Sequence, residues 1–239
     1  SDVLSITMST AGLTRVLPGP ASDDGVVETP DGSISFDGID FINLNGTAAG
    51  ANTINAQGTN GNDTIALQFL NGGNRFWVND RAVVTFSNFQ TVNLNGQFGD
   101  DTFSVSPVGL VGVTAINVNG GDPTASDSVV VSGSSATEAI NYSPTAADSG
   151  TIAGLGATVT LATVEHLTIN GLGGDDALTV TTPATSEVIT LDPGALEDQG
   201  TVTLRRGNAD GGAALLGMSF TNLGGLGSIS FANTGGARN

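Results

Sequence analysis

The sequence predicts an all-β repeat protein, a β-helix or β-solenoid with coils of about 25 residues. Three observations predict this class. Short runs of alternating apolar and polar residues are separated by Gly, Asn and Asp. Apolar residues recur with a period near 25, and longer segments resemble one another at shifts of 50 and 75 positions. Such self-similarity is typical of a solenoid, because one coil cannot bury its apolar face alone.

Two series of apolar residues mark the expected strands, and successive members of each series lie between 22 and 27 positions apart. The first series is Ile42, Leu67, Val92, Ile116, Ile140, Leu167 and Ile189, and the second is Ile54, Phe76, Phe103, Val129, Ile152, Leu178, Val202 and Ile229. Each period therefore contains at least two strands. Residues 194–200 are the one short segment compatible with a helix. The weakly patterned segments 15–32 and 205–217 are expected to be loops that project from the scaffold.

Longer repeats are superimposed on the period of 25. Residues 58–105 match residues 133–180 at 11 of 48 positions at a shift of 75, and residues 34–46 resemble residues 84–96 at a shift of 50. We expect a single elongated β-repeat domain over residues 1–239. Two tandem antiparallel β-sandwich domains, with a boundary near residue 130, are the alternative, because tandem domains would repeat as well.

Composition restricts the possible partners. The chain has 239 residues, no Cys and a formal net charge of −17, with six Arg as its only Lys or Arg residues. Nucleic acid and anionic lipid need clustered basic residues, so neither is an expected partner. Asp, a turn former and oxygen ligand, far outnumbers Glu, which suits divalent cations or high salt. The sequence contains no signal-peptide core and no apolar run of about 18 residues, so we expect neither membrane insertion nor a targeting segment.

Three nonapeptides fit the form G-x-x-G-x-D-x-U-x, where U is a large apolar residue. They are "GTNGNDTIA" (58–66), "GQFGDDTFS" (96–104) and "GLGGDDALT" (171–179). These motifs resemble the haemolysin-type (RTX-like) calcium-binding repeats of secreted or giant bacterial surface proteins. The resemblance implies calcium ligands at Asp63, Asp101 and Asp176, further oxygen ligands at Asn62, Asp100 and Asp175, and core positions at Ile65, Phe103 and Leu178. The motifs depart from the family pattern, because Thr59, Gln97 and Leu172 replace its second Gly and the nonapeptides do not run in tandem.

Stacked coils would bring these carboxylates together. Asp127 lies 26 positions after Asp101, about one coil, so the two side chains are expected to face each other. Like charges placed opposite each other are destabilising, so either a cation lies between them or the turns splay into water. We therefore add Asp127 to the candidate calcium ligands. Ordinary Gly-Asp turns with solvated carboxylates are the alternative interpretation.

Catalysis is not expected. General acid–base chemistry needs titratable groups that converge in one groove. The single His166 aligns with Thr91 at the shift of 75, and the Asp pairs occupy equivalent turns of separate repeats. We predict a non-enzymatic extracellular or cell-surface module of a surface layer, biofilm matrix fibre or adhesin stalk. Neighbouring copies or adjoining repeats, arranged head-to-tail, are the expected partners, and surface polysaccharide or another cell-surface protein are further candidates. A polysaccharide-acting β-helix enzyme or a carbohydrate-binding adhesin domain is the alternative.

Overall fold

The protein is all-β in a computed structural model that describes residues 1–122, 126–183, 187–207 and 212–233. The strands are β1 (Val3–Thr7), β2 (Leu13–Pro18), β3 (Gly25–Thr29), β4 (Gly32–Phe36), β5 (Phe41–Asn45), β6 (Thr53–Gln57), β7 (Thr64–Leu70), β8 (Gly73–Val78), β9 (Val83–Ser87), β10 (Thr91–Phe98), β11 (Thr102–Val105), β12 (Ala115–Asp122), β13 (Ser128–Ser132), β14 (Ala139–Ala146), β15 (Ser149–Ala153), β16 (Thr158–Ala162), β17 (His166–Asn170), β18 (Ala177–Thr182), β19 (Glu187–Pro193), β20 (Gly200–Arg206), β21 (Ala214–Thr221) and β22 (Ser228–Asn233). The described residues contain no helix.

The strands form two sheets of 11 strands each, and neither sheet closes into a barrel. Sheet A has the order β1-β5-β9-β8-β7-β11-β13-β17-β21-β20-β19, and sheet B has the order β22-β18-β14-β15-β16-β12-β10-β6-β2-β3-β4. Inward-facing residues of both sheets build one hydrophobic cluster. Because alternate residues of a strand point to opposite faces, the polar residues between them lie on the outside. Both sheets continue across residue 130, which lies within β13.

The chain visits the two sheets in strict alternation. Most visits are a single strand, but four visits consist of three consecutive antiparallel strands, which we call meanders. The meanders are β2–β4 in sheet B, β7–β9 in sheet A, β14–β16 in sheet B and β19–β21 in sheet A. Successive visits to the same sheet pair in parallel. The two outer strands of a meander therefore run in the same direction as the single strands.

This topology explains the repeats in the sequence. Successive meanders lie in opposite sheets. A segment in one sheet therefore resembles in sequence a segment that lies in the other sheet. Between the second and third meanders the chain inserts one additional strand in each sheet, β12 and β13. Asn93 consequently pairs with Asn117 only 24 residues on, whereas Asn55 pairs with Asn93, 38 residues on. The extra pair of strands lengthens the usual shift from 50 to 75 positions.

Several expectations need correction. Parallel partners are about 25 residues apart, as expected, only where no meander intervenes between them. Elsewhere they lie as far as 51 residues apart, as for Thr179 and Ser230. Residues 194–200 were expected to be helix-compatible, but residues 194–199 form the turn between β19 and β20 and Gly200 begins β20; in this turn the Gly194 amide donates to the Gln199 carbonyl at 2.8 Å. Residues 15–32 are not a projecting loop, because they include parts of β2 and β4 and all of β3. Residues 205–217 lie mostly in β20 and β21, apart from 208–211, which lie outside the described residues.

The two apolar series do supply the core. Every member is buried except Ile189 and Ile229, which lie on the outermost strands β19 and β22. Ile65, Phe103 and Leu178, the apolar residues of the three nonapeptides, are also buried, as expected. The period in the sequence therefore identified inward-facing positions correctly, although it did not give the spacing between most parallel partners.

One buried hydrogen bond ties the two sheets together. The Tyr142 hydroxyl on β14 donates to the Leu216 carbonyl on β21 at 2.6 Å, and the side chain is fully buried. Burial raises the pKa of the tyrosine hydroxyl, so it remains a donor. We expect Tyr142→Phe to lower the free energy of unfolding by about 1–2 kcal/mol, because the ring still packs but a buried carbonyl loses its partner. Urea unfolding followed by the fluorescence of Trp77 measures the change, and an unchanged midpoint would contradict it.

Candidate functional site

Four of the predicted ligand residues occupy equivalent positions immediately before a strand. Asp63, Asp101 and Asp127 precede the sheet A strands β7, β11 and β13, and Asp176 precedes β18 of sheet B. These residues are no more than 2% exposed. Their carboxyl groups therefore lie inside the turns and do not splay into water.

In sheet A the carboxyl groups form a hydrogen-bonded row. The Asp63 amide donates to Asp101 Oδ1 at 2.7 Å, and the Asp101 amide donates to Asp127 Oδ1 at 2.8 Å. The row ends with Glu165, whose Oε2 accepts from the Asp127 amide at 2.9 Å. Asp101, Asp127 and Glu165 thus each accept the main-chain N–H of the equivalent residue one parallel strand away. This arrangement satisfies a buried donor and links neighbouring turns.

Sheet B contains the same kind of hydrogen bond between neighbouring turns, in part with Asn or Gln side chains in place of acids. The Glu138 amide donates to Asp176 Oδ1 at 2.8 Å. The Asn52 amide donates to Gln90 Oε1 at 2.8 Å, and the Gly12 amide donates to Asn52 Oδ1 at 3.2 Å. Sequence reasoning missed Glu138, Glu165, Gln90 and Asn52. The repeat at a shift of 75 carried the signal, because it aligns Glu138 with Asp63 and Glu165 with Gln90.

A glycine before each acid, at the first position of the motif, makes room for the carboxyl group. A Cβ atom on Gly96 or Gly171 would lie far closer to Asp101 Oδ2 or Asp176 Oδ2 than the 3.0 Å that real Cβ atoms keep. At Gly58 the corresponding distance to Asp63 Oδ2 is 2.8 Å. Neither Gly58, Gly96 nor Gly171 has a positive φ. The first Gly of the motif is therefore needed for space and not for a left-handed backbone.

One oxygen of several acids has no hydrogen-bond partner among the described residues. These buried atoms are Asp101 Oδ2, Asp127 Oδ2, Asp176 Oδ2 and Glu165 Oε1. Asp63 differs, because its Oδ2 accepts from the Thr59 amide at 2.6 Å and its Oδ1 accepts from Asn79 Nδ2 at 2.6 Å. Buried polar atoms are rarely left unsatisfied, so the three aspartates require a further partner.

Asn52 indicates what kind of partner is missing. Its Nδ2 donates to the Asn88 carbonyl at 2.8 Å, and both atoms lie beside Gly46. At Asp101 the equivalent neighbours of Gly96 are Oδ2 and the Gly120 carbonyl, which are two acceptors. Two acceptors at one place can share a proton on the carboxyl group or a cation. The turns therefore offer a site for a proton or a positive ion.

The electrostatics agree with this geometry. Burial raises the pKa of the Asp101 carboxyl to about 6, although the hydrogen bond from the Asp63 amide acts in the opposite direction. Burial likewise raises the pKa values of Asp127 and Asp176, with Coulombic repulsion from Glu165 and Glu138 respectively adding to the effect. Each of these groups disfavours its charged form unless a positive charge compensates it.

The remaining predicted ligands, Asn62, Asp100 and Asp175, are exposed and bond neighbouring turns. Asn62 Oδ1 accepts from the Asp100 amide at 3.0 Å, and Asp175 Oδ1 accepts from the Leu226 amide at 2.9 Å. Asp100 Oδ1 accepts from the Ser126 hydroxyl. Within the described residues, no three His, Cys, Asp or Glu side chains converge as a metal-binding group.

The departures from the calcium-repeat pattern have a visible effect on the backbone. Gln97 and Leu172, which replace the family's second Gly, have φ values of 87° and 64°. These values lie in the left-handed region that glycine adopts without cost. The turns thus keep the glycine-like conformation with ordinary residues, at the cost of local strain.

His166 lies on the outer face at the start of β17. The shallow groove around it is lined by Glu165, Thr168, Thr201, Thr203 and Ser219 among others, and Glu165 is the only other ionisable side chain there among the described residues. The Oε2 of Glu165 already accepts the Asp127 amide. The groove therefore brings no Asp to His166.

Comparisons with family models, curated proteins and solved structures found no match to this chain. In the described part of the chain, no helix is long and apolar enough to cross a membrane.

Proposed function

We propose that the chain is a non-enzymatic structural or adhesive module of the extracellular or cell-surface type, folded as a β-solenoid with meanders inserted in its coils. The observation that carries the proposal is the row of buried acids. The hydrogen bond from a main-chain amide to a side-chain oxygen of the neighbouring turn recurs along both sheets. A repeated feature of this kind is more often architectural than catalytic. A surface layer, matrix fibre or adhesin stalk would use such a scaffold mechanically.

The solenoid is favoured over tandem sandwiches by the parallel pairing of successive visits to each sheet. Sandwich domains are built from antiparallel sheets. Among the described residues, antiparallel pairs occur only within the meanders, and both sheets continue through β12 and β13 at the expected sandwich boundary.

Calcium is the proposed cation of the acidic turns, in keeping with the resemblance to RTX-like repeats. The fit is partial. Asp101, Asp127 and Asp176 each present one unpartnered oxygen, and backbone carbonyls lie beside the Asp101 and Asp176 oxygens. Calcium takes six to eight oxygen ligands, so water would have to complete the coordination. A bound ion would neutralise the buried carboxylates and stiffen the row.

The test is a thermal melt in excess calcium and in chelator. If the folded state binds calcium with free ligand at about 100 times the Kd, the stability rises by about 2.7 kcal/mol. We expect a higher midpoint in calcium, and we expect Asp101→Ala to reduce the calcium-dependent part of it. Asp37→Ala, a change at an exposed acid, serves as the control. Coincident melts in calcium and chelator would reject calcium as the partner of these turns.

A further inference from the structure

The outermost strands of the two sheets lie together at each of the two ends of the stacked strands. At one end, β1 and β4 are the outermost strands, and they are tied together because the Ser9 amide donates to Asp31 Oδ2 at 2.6 Å. At the other end, β19 and β22 are outermost, and Leu191 and Ile229 line one cavity between them. We call these the β1/β4 end and the β19/β22 end.

All four outermost strands run in the parallel direction of their own sheet. β1 pairs in parallel with β5, and β22 pairs in parallel with β18. β4 and β19 are each separated from a parallel strand by one antiparallel neighbour, so two reversals restore the common direction. A second copy translated along the stack would therefore present β1 to β19 and β4 to β22 as parallel partners.

Three of these strands lack the features that normally protect a sheet edge. Edge strands are usually guarded by charges, proline or bulges, since an edge offers main-chain groups to another chain. The strands β1, β4 and β22 contain no charged residue and no proline, although the chain has 23 acidic residues. Only β19 carries acids, Glu187 and Asp192, together with Pro193.

No described residue covers the core at either end. Each end presents four core-facing apolar side chains, two from each sheet, and their neighbours on the next strand inward are mostly buried. They are Leu4, Ile6, Ile34 and Phe36 at the β1/β4 end, and Ile189, Leu191, Ile229 and Phe231 at the β19/β22 end. Ile34 is 38% exposed and Leu191 is 40% exposed, whereas their paired residues Val27 and Val202 are 0% and 1% exposed.

We propose that the β19/β22 end of one copy binds the β1/β4 end of a second copy, which continues both sheets and the core across the junction. This proposal rests on the structural role proposed above and specifies its partner. A second copy fits because the two ends match in strand direction and in the number of core-facing apolar side chains, four at each end. The contact is head-to-tail and leaves a free end on each side, so it propagates into a fibre.

Charge sets the conditions for this assembly. Each copy carries a formal net charge of −17, so copies repel one another at low ionic strength. Salt screens this repulsion. Contacts made by the strands β1, β4 and β22 are weakened little by salt, because these strands contain no charged residue. Association is therefore expected to strengthen as the salt concentration rises.

Single cysteines test which ends meet, because the chain has no Cys of its own. Ser5 on β1 and Thr190 on β19 are both exposed. The Ser5→Cys and Thr190→Cys proteins are mixed in high salt and treated with a short thiol-specific cross-linker. We expect the dimer that joins one protein of each kind to exceed both dimers of like proteins. No covalent dimer, or mainly dimers of like proteins, would overturn the head-to-tail contact.

The second experiment measures association by sedimentation, in the protein without introduced cysteines and in three lysine variants of it. We expect Ile34→Lys and Leu191→Lys each to weaken association at least tenfold, because each places a charge at an end. Val111→Lys, at a residue that is 65% exposed and away from both ends, is the matched control and should leave association unchanged. A thermal melt of each variant checks that it folds.

The outcomes separate the two proposals. A chain that remains monomeric in high salt, or that associates equally well in all three lysine variants, rejects the head-to-tail contact. The calcium-dependent melt is independent of this result, since the acidic turns lie within each copy. A calcium effect in a monomeric chain would leave the proposed module intact and remove only its self-assembly.

Discussion

Replacing Gly96 with alanine is expected to lower the free energy of unfolding by about 3 kcal/mol, the upper end of the range for overpacking a buried site. The new methyl group would occupy the space between Asp101 Oδ2 and the Gly120 carbonyl. Neither neighbour can yield easily, because Asp101 Oδ1 holds the Asp63 amide and Gly120 lies in β12, which pairs with β10 and β16.

Gly225→Ala is the matched control, since no atom lies within 4 Å of its added Cβ and its φ is not positive. We expect a change within about 0.5 kcal/mol there. Urea unfolding of both variants at pH 7 gives the comparison. If Gly96→Ala is as stable as Gly225→Ala, then the glycine is not required to accommodate the carboxyl group.

Acidification is expected to stabilise the protein in the absence of calcium. The pKa of the Asp101 carboxyl is raised to about 6 in the folded state from an ordinary value of 3.8, and those of Asp127 and Asp176 are raised as well. Between these pH values the folded state holds more protons than the unfolded state, so stability falls as the pH rises. The contribution is fully present below pH 3.8 and is lost as the pH passes through about 6.

Asp101→Asn separates this effect from the general repulsion of an acidic chain. Asparagine keeps the acceptor for the Asp63 amide and places a donor toward the Gly120 carbonyl, as Asn52 does toward Asn88. At pH 8 in chelator we expect the variant to be more stable by about 1 kcal/mol, a value reduced for solvent screening. Its stability should also depend less on pH between 4 and 6.

Asp37→Asn removes one exposed charge and is the control for net charge. Melts of the three proteins across this pH range, in chelator and in calcium, complete the measurement. In calcium we expect the order of stability to reverse, because the amide cannot replace a carboxylate ligand. Equal pH dependence in the unaltered protein and Asp101→Asn would contradict a raised pKa at this carboxyl group.

Local patterning was sufficient to predict the core and the strands that carry a clear alternation. Alternating runs such as "TVNL" and "AINV" became β10 and β12, because alternation places every second side chain on one face whatever the strand pairs with. The three nonapeptides were correctly placed as turns before strands, and Ile65, Phe103 and Leu178 were correctly placed in the core. These features depend only on neighbours in the sequence.

The position of a segment in the stack could not be predicted in the same way. Residues 15–32 and 205–217 have weak patterns, yet they supply strands of the meanders β2–β4 and β19–β21. Antiparallel neighbours from the same meander pair with these strands through main-chain hydrogen bonds. Partners of this kind allow a segment of low intrinsic preference to form a strand.

The sequence by itself determined an acidic all-β chain whose Gly-Asp turns repeat, since composition, alternation and self-similarity are properties of the linear chain. Only the tertiary structure decided that similar segments occupy opposite sheets and that the carboxyl groups are buried in hydrogen-bonded rows. The physical reason is that both properties arise from parallel pairing between strands whose partners lie from 24 to 51 residues apart. That pairing brings Asp101, Asp127, Glu165 and Asp176 each to the main-chain amide of a neighbouring turn, an acceptor role that spacing in the sequence does not specify.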